Sequence, residues 1–126
     1  MRWQKRAVRA FNSTRGTVLG DVRVAETMLT RIVGLLGERG LNPGDGLLIV
    51  PSQGVHTFGM LFPIDVAVLD GDWNVIGVRH AVRSFRVTRI FMKGAAVLEL
   101  PAGTLKATST TVGDVIEFSG STQLNA

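Results

Sequence analysis

Short apolar runs, each closed by Gly or Pro, recur along most of the chain. The segment from Gly16 to Glu26 alternates apolar and polar positions around Gly20-Asp21, which predicts two short strands joined by a tight turn. Leu47 to Val50 reads as a buried strand closed by Pro51-Ser52-Gln53-Gly54. Further strands are predicted over 55–58, 65–70, 73–78, 95–100 and 115–118, with a turn at Asp70-Gly71-Asp72. One stretch breaks this rhythm. Ala25, Met28, Leu29, Ile32 and Leu36 recur at spacings of three and four, the pattern of a helix with one buried stripe, and Gly37 and Gly40 offer places to end it. Arg31 projects from another side of that helix than Met28 and Ile32 and is available to a carboxylate elsewhere. Residues 78–94 fit neither period: Arg83, Arg86 and Arg89 would align on a helix but scatter over both faces of a strand, so an irregular, partly extended connection is expected there. Many short strands separated by Gly and Pro indicate a mainly β fold, a compact antiparallel β-sandwich or jelly-roll-like barrel with one short α-helix near residues 25–36.

Composition narrows this picture. With 126 residues, 45% hydrophobic and 19% charged, the chain suits one domain with one packed core. It has no cysteine, which excludes disulfides, thiolate metal sites and a cysteine nucleophile. Arg2, Lys5, Arg6, Arg9 and Arg15 all precede the first acidic residue, Asp21, leaving nine of the fourteen basic residues against all ten acidic ones. Residues 1–15 are therefore expected to be a solvated basic tail, 16–118 the single β-rich domain, and 119–126 a frayed end. Neither a secretory leader nor a run of membrane-spanning length is visible, so the expected setting is the cytoplasm.

Four separated motifs carry a family resemblance: RIVGLLG, GLLIVPSQGVHTFGMLFPIDVAVLD, VLELPAGT and VGDVIEF. In this order and approximate spacing, from about Gly16 to Phe118, the chain resembles the domain-of-unknown-function 192 family, small proteins of bacteria and archaea. The resemblance implies a compact, mainly β domain of sandwich or jelly-roll character with a short helix, and it implies no activity. Many members carry an aromatic-Met-Lys-Asn-Thr string where this chain has His56-Thr57-Phe58-Gly59-Met60, so His56 marks one branch.

The candidate chemistry centres on the segment 54–70, which sets a histidine, a threonine and two aspartates among apolar residues. His56 oriented by Asp65 could act as general acid/base beside the Thr57 hydroxyl. Against this, a buried His often bonds backbone, and an Asp near a turn often accepts backbone amides. Alternation places Glu99 mid-strand on a covered surface, where an arginine partner is expected, with Arg31, Arg83, Arg86 and Arg89 as candidates. His56, Asp65 and Glu99 have no metal-ligand spacing signature, and no phosphate-loop motif is present, so no metal or other cofactor is expected. The basic stretch Arg79 to Lys93, interleaved with Phe85 and Phe91, makes the best case for nucleic acid, but the domain outside the tail is nearly neutral and such a partner is not expected. The reading that ranks first is a non-enzymatic module binding a small ligand or a protein in a cleft near residues 54–65, with His56, Thr57, Asp65, Glu99 and Arg31 as candidate contacts. The alternative is a hydrolase or transferase using His56 oriented by Asp65.

Overall fold

A computed structural model describes residues 7–25, 44–50, 62–83 and 92–120. Among them are seven strands: β1 (Ala7–Asn12), β2 (Thr17–Ala25), β3 (Asp45–Ile49), β4 (Ile64–Leu69), β5 (Val75–Val82), β6 (Ala96–Pro101) and β7 (Ile116–Gly120). A single turn of helix, α1 (Thr104–Ala107), completes the described elements. The strands form one sheet in the order β5-β4-β6-β3-β2-β1-β7, curled into a half-barrel. The isolated bridge Asn74↔Val115 ties the starts of β5 and β7 together.

The fold is mainly β, as its short apolar runs predict, and most neighbours are antiparallel. The exception is β2 with β3, which pair in parallel with Asp21 opposite Asp45 and Ala25 opposite Ile49. The predicted helix near 25–36 lies outside the described residues apart from Ala25, which ends β2.

Two local expectations are corrected. Gly20-Asp21 is not a turn: β2 runs unbroken through it, and the hairpin turn is Ser13 to Gly16, closed by Gly16 N–H donating to Asn12 O at 2.8 Å. Gly20 instead sits at φ 147°, where an added Cβ would lie 2.6 Å from the Gly44 carbonyl oxygen. That close approach lets Asp21 N donate to Gly44 O at 2.7 Å and set the parallel register of β2 and β3. The second correction concerns the tail. Ala7–Asn12 is an interior strand, paired with both β2 and β7. Its basic character belongs to outward positions such as Arg9, whereas Ala10 and Asn12 are wholly buried.

Side-chain alternation divides the sheet into two faces. Ala10, Leu19, Val22, Leu48, Leu69, Val75, Leu98 and Ile116 meet in one cluster that draws on every strand and includes Leu105 of α1, which marks the inner side of the curl. A second cluster, Leu47, Ile49, Ile64, Val66, Val68, Val82 and Val97, covers the outer side of β3, β4, β5 and β6 alone, with Phe62 and Ile76 packed against it. The central strands are thus buried on both faces, and truncating a residue such as Leu98 should cost about 2–5 kcal/mol.

Candidate functional site

Register decides where the candidate residues go. β4 and β6 pair with Asp65 opposite Leu100 and Val66 opposite Glu99. Directly paired residues share a face, so Asp65 lies on the inner side with Leu100, and Glu99 on the outer side with Val66. The two carboxylates that the sequence groups into one site are therefore separated by the sheet. His56, Thr57 and Arg31 lie outside the described residues, as do Arg86 and Arg89.

Asp65 is wholly buried and hydrogen-bonded to backbone. Its Oδ1 accepts from Ala81 N at 2.9 Å, and its Oδ2 from Gly103 N at 3.0 Å and Leu105 N at 2.9 Å. Gly103 is the N-cap residue of α1 and has no side chain to satisfy the amides at the helix start. Asp65 supplies that cap from another strand. The same carboxylate holds Ala81 at φ 49°, a left-handed conformation that costs a non-Gly residue about 1–2 kcal/mol, beside a register shift between Ile64 and Val66. One side chain thus joins the end of β5 to the start of α1.

Glu99 is equally buried but set differently. Leu47 on β3 and Val66 on β4 flank it in register, and the rest of the outer cluster is aliphatic. The side chain has an interaction partner, while its Oε1 accepts no hydrogen bond.

A third buried carboxylate, Asp114, has no counterpart in the sequence reading. Its Oδ2 accepts from Asn12 Nδ2 at 3.0 Å, Arg15 Nε at 3.1 Å and Thr111 N at 3.1 Å. Asn12 also donates to Thr110 Oγ1 at 2.9 Å, and that hydroxyl lies 2.7 Å from Thr108 Oγ1. Burial alone would raise the Asp114 carboxyl, but the hydrogen bonds from Asn12, Arg15 and Thr111 outweigh it and hold it below its ordinary value. The network pins the β1–β2 turn to the loop before β7. Its only sequence signal is the density of Thr, Asn and Asp beside Gly16 and Gly113. Among the described residues, no three His, Asp or Glu side chains converge as a metal site requires.

These features are those of a known family. The chain belongs to the domain-of-unknown-function 192 family, described as Uncharacterized ACR, whose model matches residues 10–118. No curated protein matches it significantly. Two solved structures share the fold. One is a candidate transcription regulator from Sinorhizobium meliloti, 24% identical, with a TM-score of 0.72 over 90% of this chain and 92% of that one. The other is a protein of unknown function from Novosphingobium aromaticivorans, 17% identical, with a TM-score of 0.71 over 88% of this chain and 83% of that one.

Proposed function

We propose that the domain is a non-enzymatic binding module that holds a small ligand or a segment of a partner protein near residues 54–65, on the Glu99 side of the sheet. One observation carries this reading. Ile49 and Phe62, on either side of the segment 51–61, both pack in the outer cluster on the face that bears Glu99. The described residues before and after the segment that carries His56 and Thr57 thus border an apolar face that holds one wholly buried carboxylate, Glu99. An apolar surround with few polar groups is the usual composition of a ligand site.

The rival is a hydrolase or transferase with His56 as acid/base oriented by Asp65. It has less support, because three of the about four acceptor positions of a carboxylate are already taken by amides at Asp65. Thermal-shift measurements against a panel of amines, amino acids and carboxylic acids test the binding reading. Compounds that raise the melting temperature of the wild type should lose their effect in Glu99→Gln and His56→Ala and keep it in Arg9→Gln. Identical profiles for all four proteins, flat ones included, would remove the proposal. Turnover of ester or phosphoester substrates by the wild type, abolished in His56→Ala, would favour the rival.

A further inference from the structure

Register also draws a line of charge across the outer face. Val66 pairs with Arg79 on β5 and with Glu99 on β6, Glu99 pairs with Leu47 on β3, and Leu47 with Arg23 on β2. Directly paired residues share a face, so Arg79, Val66, Glu99, Leu47 and Arg23 form one row over five neighbouring strands. Its order is cation, aliphatic, anion, aliphatic, cation. Neighbouring strands lie about 4.8 Å apart, which sets the backbone of Glu99 about 10 Å from that of either arginine, with one aliphatic side chain between.

The two arms of the row differ. Arg79 stands exposed on β5, at one end of the strand order, whereas Arg23 is half-buried and has an interaction of its own. From Arg79 inward, exposure falls to 0% at both Val66 and Glu99. A molecule arriving from solvent over β5 thus meets a guanidinium first, an aliphatic surface next and a carboxylate last. An anion alone would be repelled at the inner end, and an amine alone at the outer one. A carboxylate and an ammonium joined by a short aliphatic chain suit both ends and the middle.

We infer, on the basis of the binding reading above, that the outer face takes a small aliphatic zwitterion, its carboxylate on Arg79, its chain against Val66 and its ammonium toward Glu99. Val66 and Glu99 are covered in this structure, so the bound form is a more open one, and the cost of opening weakens all ligands of this face alike. Selectivity among them is untouched. Titration calorimetry of the full chain with γ-aminobutyrate, n-butylamine and butyrate tests it, since the three share a chain and differ in the charges at its ends. γ-Aminobutyrate should bind at least about tenfold more tightly than the other two, the worth of one charge-assisted pair. Arg79→Gln, at an exposed position, should melt like the wild type and bring γ-aminobutyrate down to the affinity of n-butylamine, whose own binding it does not weaken. Arg79→Lys should restore most of the difference. Glu99→Gln should weaken both amines. Equal binding of γ-aminobutyrate and n-butylamine, with no effect of Arg79→Gln, would overturn the ligand class while leaving the binding reading in place. So would a loss in Arg23→Gln but not in Arg79→Gln, which would move the carboxylate to the other arm of the row. If none of the three compounds binds, the ligand class falls, and the thermal-shift panel still decides the binding reading by itself.

Discussion

Asp65 and Glu99 lie on adjacent strands, and both side chains are 0% exposed, yet their surroundings are opposite. Asp65 faces the inner side and accepts three backbone amides from two other parts of the chain. Glu99 faces the outer side between Leu47 and Val66, and one of its oxygens accepts no hydrogen bond. Burial of a charge is costly unless hydrogen bonds replace its hydration. At Asp65 the backbone makes that replacement, so the residue is explained by the fold. At Glu99 one oxygen receives no such bond, and the side chain depends on an interaction made elsewhere. Burial by itself therefore does not tell how a carboxylate is held in the interior. The hydrogen bonds it accepts do.

The largest expected effect is at Asp65. Replacing it by Ala would strand three amides, uncap α1 and release the strained Ala81, a loss of about 3–5 kcal/mol in urea unfolding. Asp65→Asn keeps one acceptor oxygen and should recover part of it. A cost below about 1 kcal/mol for Asp65→Ala would break the comparison, since Asp65 would then not organise that end of the sheet. At Glu99 the expected loss is smaller, about 2 kcal/mol for Glu99→Gln, because shape is kept while a buried charged group loses its interaction. Glu99→Gln should in addition abolish ligand responses that Asp65→Asn leaves intact. Equal effects of both variants on binding would mean that the two faces are not functionally distinct.

Asp114 sharpens the contrast through pH. Its folded carboxyl is held below the unfolded value, so the unfolded chain binds more protons in acid and stability rises with pH. The contribution is fully present above the ordinary aspartate pKa of about 4 and is lost as pH falls through the folded value. Asp70 adds a contribution of the same sign, chiefly because the Asn74 amide donates to it, against a desolvation that raises it. Asn12→Ala removes a donor to Asp114 and one to Thr110, together with the acceptor of Arg15 N in the β1–β2 turn, costs about 1–2 kcal/mol at neutral pH, and should make the acid limb of a melting-temperature profile shallower. An unchanged acid limb in Asn12→Ala would show that these hydrogen bonds do not depress the Asp114 carboxyl.

The sequence revealed the elements better than their relations. β3, β4, β6 and β7 each coincide with an apolar run bounded by Gly, Pro or Asp, because strand period and strand burial are local quantities. Gly20 misled, since glycine marks a turn and a close backbone approach alike, and only the presence of Gly44 opposite distinguishes them. The buried state of Glu99 was legible from Leu98 and Leu100 around it. That Asp65 faces the other way was not, because the pairing of Val66 with Glu99 is a register fixed by two strands about thirty residues apart. Asp65's partners are likewise distant in sequence, Ala81 by 16 residues and Leu105 by 40, so no local pattern announces them.

The smallest expected effect comes from a pair of ion pairs that look alike in geometry. Arg9 Nε lies 3.0 Å from Asp21 Oδ1, and Arg15 Nε lies 3.1 Å from Asp114 Oδ2. Their exposure differs: the side chains of the first pair are 56% and 59% accessible, those of the second 43% and 3%. Hydrogen bonding to Asp21 raises the Arg9 pKa, but water and salt screen a pair so open, and holding two flexible side chains together offsets the attraction. Arg9→Gln should therefore leave the melting temperature unchanged within error, in low salt and high salt alike. Arg15→Gln should lower it, because the buried Asp114 oxygen keeps its charge and loses a donor that solvent cannot replace. If the two variants melt together, the distinction between buried and exposed carboxylates fails at its simplest instance, and the larger differences expected at Asp65 and Glu99 would need another cause.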